Sequence, residues 1–317
     1  MPDLCAIIMK KSGFALGFAM ALTGAMMFSA KAIYVKLIYR SESIDAISML
    51  ALRMLFSLPF YAVTAWVLAR RPDNVRLTAR QWCAIAILGL LGYYMSSLLD
   101  FMGLAYISAG LERLILFMYP TFALLIGAVA FRKKITRPQW TALIIAYAGM
   151  LVAFVGDIRQ EWNASVLTGS LLVLGCALTY AFYIVGGGEV IPKVGSMKFT
   201  CYALLFSSVG VFTQYLVKHG VEPQQFSGHT YWLCFQMAIV STVIPTFLTS
   251  EGIRKIGSGN TAIITSVGPV ATIVQAYIFL GEPITWLQLL GTALVLAGVL
   301  MIGKKGKKPA EGAPRGR

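Results

Sequence analysis

Ten long, predominantly apolar stretches fill most of this chain, near residues 13–36, 44–69, 82–104, 109–131, 139–156, 167–187, 199–217, 231–250, 259–280 and 285–303. About 20 such residues carry an α-helix across the hydrocarbon of a bilayer. The sequence therefore predicts an all-α membrane protein with ten transmembrane helices. Composition agrees, because 58% apolar and only 13% charged residues cannot clothe a water-facing surface, so a soluble enzyme is excluded.

Charge is confined to what lies between the runs. The net charge of +14 belongs to loops and tail rather than to a nucleic-acid groove, and no nucleic-acid partner is expected. Five cysteines without a CxxC pair, and two histidines (His219 and His229) without HExxH, suggest neither a disulfide framework nor a zinc site. No metal and no cofactor are expected.

Lys and Arg in short loops set orientation. With the N-terminus inside, twenty of the 27 bases fall on the cytoplasmic side and only Lys36, Arg40, Arg159 and Lys218 on the outer side. The expectation is a multi-pass plasma (inner) membrane protein with both termini cytoplasmic. Residues 1–12 then form a cytoplasmic N-terminus and 304–317 a basic cytoplasmic tail that also attracts anionic lipid. Lys10-Lys11 before the first run imitates a secretory signal. Cleavage is rejected, because Gly13, Ala21, Leu22, Thr23 and Ala25 recur in order as Gly169, Ala177, Leu178, Thr179 and Ala181. Asn163-Ala164-Ser165 fits a glycosylation pattern, but so short a pattern is usually accidental.

That recurrence extends along the chain. A shift of 149 residues lays Gly103, Ile107, Gly110, Pro120, Ile135, Thr136, Gln139, Ala148, Gly149 and Leu151 on Gly252, Ile256, Gly259, Pro269, Ile284, Thr285, Gln288, Ala297, Gly298 and Leu300. The paired proline and glycines carry the most weight, since they fix backbone geometry rather than hydrophobicity alone. Two five-helix repeats follow, at 13–156 and 167–303. An odd number of spans per copy inserts the second copy upside down, the plan of secondary transporters that bind substrate near the midplane between repeats.

The five-plus-five plan, Pro120 and Pro269 in the fourth and ninth spans, Ser108-Ala109-Gly110, and Gly281-Glu282-Pro283 followed by Gly291 and Ala297-Gly298 resemble the EamA-type drug/metabolite transporter superfamily. The resemblance covers roughly 13–303. It implies a carrier of amino acids, metabolites or drugs, often moved outward. The chain departs from the pattern where Arg132-Lys133 stands opposite Gly281-Glu282, so any structural task of that glutamate is met differently in the first copy.

An ionisable side chain inside a span costs about 2.5–3.5 kcal/mol on insertion scales and persists when paired, hydrated or useful. Five meet this test: Lys31, Arg53, Asp100, Glu112 and Arg113, all in the outer half of the first repeat. Arg113 and Asp100 read as an ion-paired set that snorkels outward. Lys31 and Arg53, deeper and with few acids at hand, suit a substrate carboxylate. Asp100 and Glu112 are the acids available to a coupling proton. Asn260, opposite Leu111 in the second copy, is a candidate neutral counterpart at the inner side. The substrate-binding set expected from sequence is thus Lys31, Arg53, Asp100, Glu112 and Asn260. Pro120 and Pro269 are expected to line the cavity; Pro59 and Pro245 can kink their helices. Gly13 and Gly17, in GxxxG spacing, are expected to let the first span approach a neighbour closely. Tyr93, Tyr94, Tyr119, Tyr180, Phe182 and Tyr183 are a weaker candidate for an aromatic wall. Trp82, Trp140, Trp162, Trp232 and Trp286 read as interfacial anchors.

The expected function is a secondary transporter exporting a small amphiphilic, carboxylate-bearing metabolite such as an amino acid by alternating access. The alternatives are an intramembrane enzyme or a flippase for lipid-linked substrates. An enzyme would need a reactive constellation, and no Ser/His or Cys/His set or phosphate-gripping loop is present. Gly186-Gly187-Gly188 lacks the Lys and Ser/Thr of a P-loop and reads as a flexible cytoplasmic connector.

Overall fold

The structure is a computed structural model. It describes residues 2–71, 76–131, 137, 140–141, 144–145, 147–149, 151–152, 164–221, 224–256, 264 and 267–305, with side chains from Phe14 onward except at 131, 253–254 and 298–305. The described residues form helices α1 (Pro2–Ser41), α2 (Ala46–Ala69), α3 (Ala79–Leu104), α4 (Ala109–Ala130), α5 (Ala164–Val194), α6 (Ser196–His219), α7 (Gly228–Gly252), α8 (Gly268–Leu280) and α9 (Trp286–Lys305). Seven, α1 to α7, are long and apolar enough to cross a membrane, and α8 and α9 contribute shorter apolar stretches. They match the first four and last five expected spans. The expected fifth span, 139–156, falls largely outside the described residues; those of its residues that are described are helical.

Local signals start several of these helices. Thr78 and Gln81 form a reciprocal capping box at α3, in which the Gln81 amide donates to the Thr78 hydroxyl and the Thr78 amide to Gln81 Oε1. Thr285 and Gln288 do the same at α9. Ser108 and Ser227 accept from Leu111 and Thr230 amides at the starts of α4 and α7. At the end of α8, Gly281 adopts φ +68°, a left-handed turn that glycine permits at no steric cost.

The prolines behave differently from expectation. Pro59 and Pro245 lie inside α2 and α7, but Pro120 and Pro269 are each the second residue of a helical segment (Tyr119–Phe131 and Gly268–Gln275). There a missing amide proton costs no helical hydrogen bond, so these prolines restart helices rather than kink them. The second correction concerns Gly186-Gly187-Gly188. The three glycines lie within α5 rather than in a loop, and Gly186 makes a close helix contact, where an added β-carbon would collide with the Leu88 side chain.

Packing repeats as well. Gly103 of α3 sits on α5, where an added β-carbon would meet Val173 Cγ2 at 2.5 Å. Gly252 of α7 sits on α1, 3.1 Å from Ala21 Cβ. Those are equivalent residues of α3 and α7 docking on α5 and α1, each the first helix of the opposite repeat, as a two-fold exchange of repeats requires. At Gly17 of α1 an added β-carbon would likewise meet Ile256 Cγ2 at 2.6 Å. The outer girth of the bundle is apolar, with Val129, Ile278 and Trp286 exposed, which suits lipid rather than water. The fold is an all-α, ten-helix membrane architecture of two inverted repeats.

Candidate functional site

Three of the described helices carry a π-type turn, and two of these turns lie at equivalent places: Leu90–Met95 in α3 and Ile239–Val243 in α7, separated by the repeat shift of 149 residues, the third being Ala276–Leu280 in α8. A π-turn adds a residue to the helical ladder and re-aims the side chains beside it. Tyr93, Ser96 and Ser97 on one helix, and Ser241, Thr242 and Thr246 on the other, consequently face a common cavity. This cavity has a volume of about 280 Å³, near the lower end of small-molecule sites. Helices α1 to α4 of the first repeat and α5, α7 and α8 of the second contribute to its wall.

Its charge comes from the first repeat alone. Lys31, Arg53 and Arg113 line the wall. Lys31 Nζ lies 2.6 Å from Asp100 Oδ2. Arg53, 4% exposed, donates from Nη2 to Ser97 Oγ at 2.9 Å, and its guanidinium lies 4.9 Å from the Phe101 ring centroid. Arg113 Nε donates to Thr272 Oγ1 of α8 at 3.0 Å and stands 3.9 Å from Glu112 Oε2. Asp100 and Glu112 are completely buried, interact with one another, and stand behind the wall rather than in it. Three bases against two acids leave one net positive charge if both acids are ionised. Arg53 Nε and Arg113 Nη2 are buried without an acceptor among the described residues.

The rest of the wall is aromatic and hydroxylic. Tyr93, Tyr119 and Tyr180 line it, and Tyr183 packs behind, its ring 5.0 Å from Tyr93 and its hydroxyl donating to the Tyr93 hydroxyl at 3.2 Å. Tyr119 and Tyr180 meet edge to face at 5.1 Å. Tyr94 turns away to bond Gln214, and Phe182 faces outward, 43% exposed. At the far end, Tyr61 of α2 donates to Thr246 Oγ1 at 3.3 Å, and Ser29 of α1 donates to the Gly268 carbonyl at 3.0 Å.

Against the expectations, Lys31 and Arg53 reach the cavity directly. Arg113 does not snorkel away: it lines the cavity and bridges to the second repeat through Thr272. Pro120 and Pro269 stand next in sequence to the lining residues Tyr119 and Gly268 and are not themselves among the lining. Asn260 lies outside the described residues. Ser97, Thr272 and the two π-turns went unforeseen, since hydroxyls are commonplace in membrane helices and a π-turn leaves no compositional mark. The same repeat alignment that pairs Gly103 with Gly252 also pairs the two turns.

A multi-pass bundle of inverted repeats around a polar, part-aromatic cavity defines a membrane transporter. The sequence profile of the EamA-like transporter family matches residues 15–155 and again 167–304, and the chain belongs to that family. It is 27% identical over 302 residues to the "Uncharacterized transporter YcbK" of Bacillus subtilis (strain 168), covering 92% of this chain and 96% of that one. It is 26% identical over 248 residues to the "Probable terminal-alkyne amino-acid exporter" of Streptantibioticus cattleyicolor, covering 77% and 81%. A protein of solved crystal structure superposes with a TM-score of 0.63 over 95% of this chain and 100% of its own, at 14% identity, which supports the fold alone.

Proposed function

We propose that this transporter is a secondary carrier that exports a small amphiphile bearing a carboxylate, of the amino-acid class, across the plasma membrane by alternating access. The two repeats, 13–156 and 167–303, are its moving parts, and both termini are cytoplasmic. The observation that carries the reading is the pair of unsatisfied guanidinium donors, Arg53 Nε and Arg113 Nη2, beside a cavity with surplus positive charge. A carboxylate there gains charge-assisted hydrogen bonds that no protein group supplies, and the tyrosine wall takes the apolar body. The likeness to an amino-acid exporter supports the same class.

Asp100 and Glu112 hold a second role in this reading. Two carboxyl groups in contact beside Lys31 and Arg113 offer a place where one proton is shared and exchanged during the cycle. Asn260 is assigned the neutral counterpart of Glu112 in the second repeat, and Pro120 and Pro269 set the backbone from which the wall residues project.

Counterflow in lipid vesicles with a panel of amino acids, other carboxylates, nucleosides and cationic drugs tests the reading. Carboxylates should exchange, and Lys31→Ala and Arg53→Ala should each lower the rate at least tenfold while inserting normally. Wild-type rates in both variants would remove the proposed role of these bases. Product formation or lipid headgroup translocation without solute flux would replace the carrier reading altogether.

A further inference from the structure

A polar clasp joins the two repeats at one end of the bundle. The turn at Glu42–Asp45, between α1 and α2, meets Lys218 and His219 at the end of α6 and Gln224 and Ser227 ahead of α7. Asp45 Oδ2 accepts from Lys218 Nζ at 2.5 Å and from His219 Nε2 at 3.2 Å. Ser48 Oγ donates to Gln224 Oε1 at 2.7 Å, and Gln224 Nε2 donates to His219 Nδ1 at 2.9 Å. Glu42 accepts from the Ser227 amide at 3.2 Å and from its hydroxyl at 3.1 Å, so a residue of the first repeat holds the N-cap of α7. All of these bonds except the Gln224–His219 bond, which braces the second-repeat side of the clasp, run from one repeat to the other. Two more cross nearby: Arg40 Nη1 donates to the Leu280 carbonyl at 2.8 Å, and the Ala109 amide donates to Glu282 Oε1 at 3.3 Å.

Beneath the clasp lies the largest apolar cluster of the bundle, including Ile38, Ile47, Leu50, Leu104, Leu233 and Leu280, and beneath that cluster lie Lys31 and Arg53. An apolar plug by itself would hold this end shut. A rim of charged and hydroxylic groups, each of which water can solvate once released, allows it to open without stranding buried polar atoms. Asp45 and Lys218 are partly exposed, 30% and 52% by side chain, so water is already at hand.

Resting on the carrier reading above, we infer that the clasp formed by Glu42, Asp45 and Ser48 with Lys218, His219, Gln224 and Ser227 is the outer gate of the transport cavity, whose release lets substrate pass outward. Cys176 supplies a native reporter. It lines the cavity and is buried, so on this inference reagent arriving from outside reaches it when the clasp opens.

The experiment uses the full chain with Cys176 as its sole cysteine, in right-side-out and inside-out vesicles, probed with a membrane-impermeant maleimide. Asp45→Asn and, independently, Glu42→Gln should raise the rate of Cys176 labelling from the clasp side several-fold. In a second set, cysteines replacing Asp45 and Gln224 are joined by a short bis-methanethiosulfonate bridge. The bridge should abolish both labelling from that side and solute flux, and reductant should restore them. Unchanged labelling in both loosened variants, or undiminished flux in the bridged protein, overturns the gate. A failure of the carrier reading looks different: no flux for any solute in the wild type, whatever the labelling shows.

Discussion

Lys31 and Asp100 form a buried ion pair at 2.6 Å, and removing one partner strands the other in a low-dielectric interior. Such losses cost about 3–5 kcal/mol. Lys31→Met alone should therefore lower thermal stability in detergent markedly, while Lys31→Met combined with Asp100→Leu should recover most of it without recovering flux. Equal stability in the single and double variants would mean that the pair does not couple. Arg113→Lys keeps the charge but loses the planar fork that reaches Thr272 and the cavity together. Its substrate affinity should fall roughly 10- to 150-fold, the equivalent of about 1.5–3 kcal/mol for a charged hydrogen bond, measured by concentration dependence of counterflow. The charged residues were legible because a charge inside an apolar run is conspicuous. Which way each one points was not, and Arg113 was assigned to the wrong surface for that reason. Ser97 and Thr272 had no visible signal, because a hydroxyl in a membrane helix usually bonds its own backbone.

Elements meet here through glycine, and space rather than propensity decides which glycines matter. A β-carbon on Gly149 would lie 2.7 Å from the Gly291 carbonyl and 2.6 Å from Leu294 Cβ, with backbone on one side that cannot yield. Gly149→Ala should destabilise the protein by about 1–3 kcal/mol, read as a lower melting temperature. Gly188, equally helical, has open space around its α-carbon. Gly188→Ala should be neutral or stabilising by up to about 1 kcal/mol, because alanine is the better helix former. If both substitutions behaved alike, close helix approach would not be what selects these glycines. At the clasp, burial alone would raise the Asp45 carboxyl, but hydrogen bonds from Lys218, Ser48 and His219 outweigh it and hold the group below its ordinary 3.8. A carboxyl depressed on folding stabilises the folded form above its ordinary value and loses that contribution as pH falls through the lower one. Acidification below about 3.8 should consequently loosen the clasp in the wild type. Asp45→Asn should show a smaller loss of thermal stability over that range, the remainder belonging to Glu42, whose carboxyl the Thr230 and Ser227 groups likewise hold below its ordinary value.

For the molecule as a whole, two copies of an odd-span unit require an even number of crossings. Single cysteines at Arg76 and Lys193, each on a loop expected on the cytoplasmic side, should react with an impermeant reagent from the same face. A cysteine at Lys218 should react from the other. Labelling of Arg76 and Lys193 from opposite faces would dissolve the inverted pairing. The asymmetry within that symmetry is the functional point: backbone geometry repeats, as the two π-turns and the Gly103 and Gly252 contacts demonstrate, but the cavity's charge comes from one repeat.

Run length and the repeat shift pointed to the helix count and the internal two-fold on sequence alone, because crossing lipid imposes a length and a polarity that no local context overrides, and the motifs at Ser108-Ala109-Gly110 and Gly281-Glu282-Pro283 carried the likeness to the family. The facing of Arg113, the helical fate of Gly186–Gly188, the π-turns and the clasp from Glu42 to Ser227 were decided only by tertiary structure. Each depends on what a second helix, far along the chain, presents at the point of contact. A one-dimensional pattern fixes how deep a side chain lies in the membrane, whereas the packing of neighbours fixes the direction in which it looks.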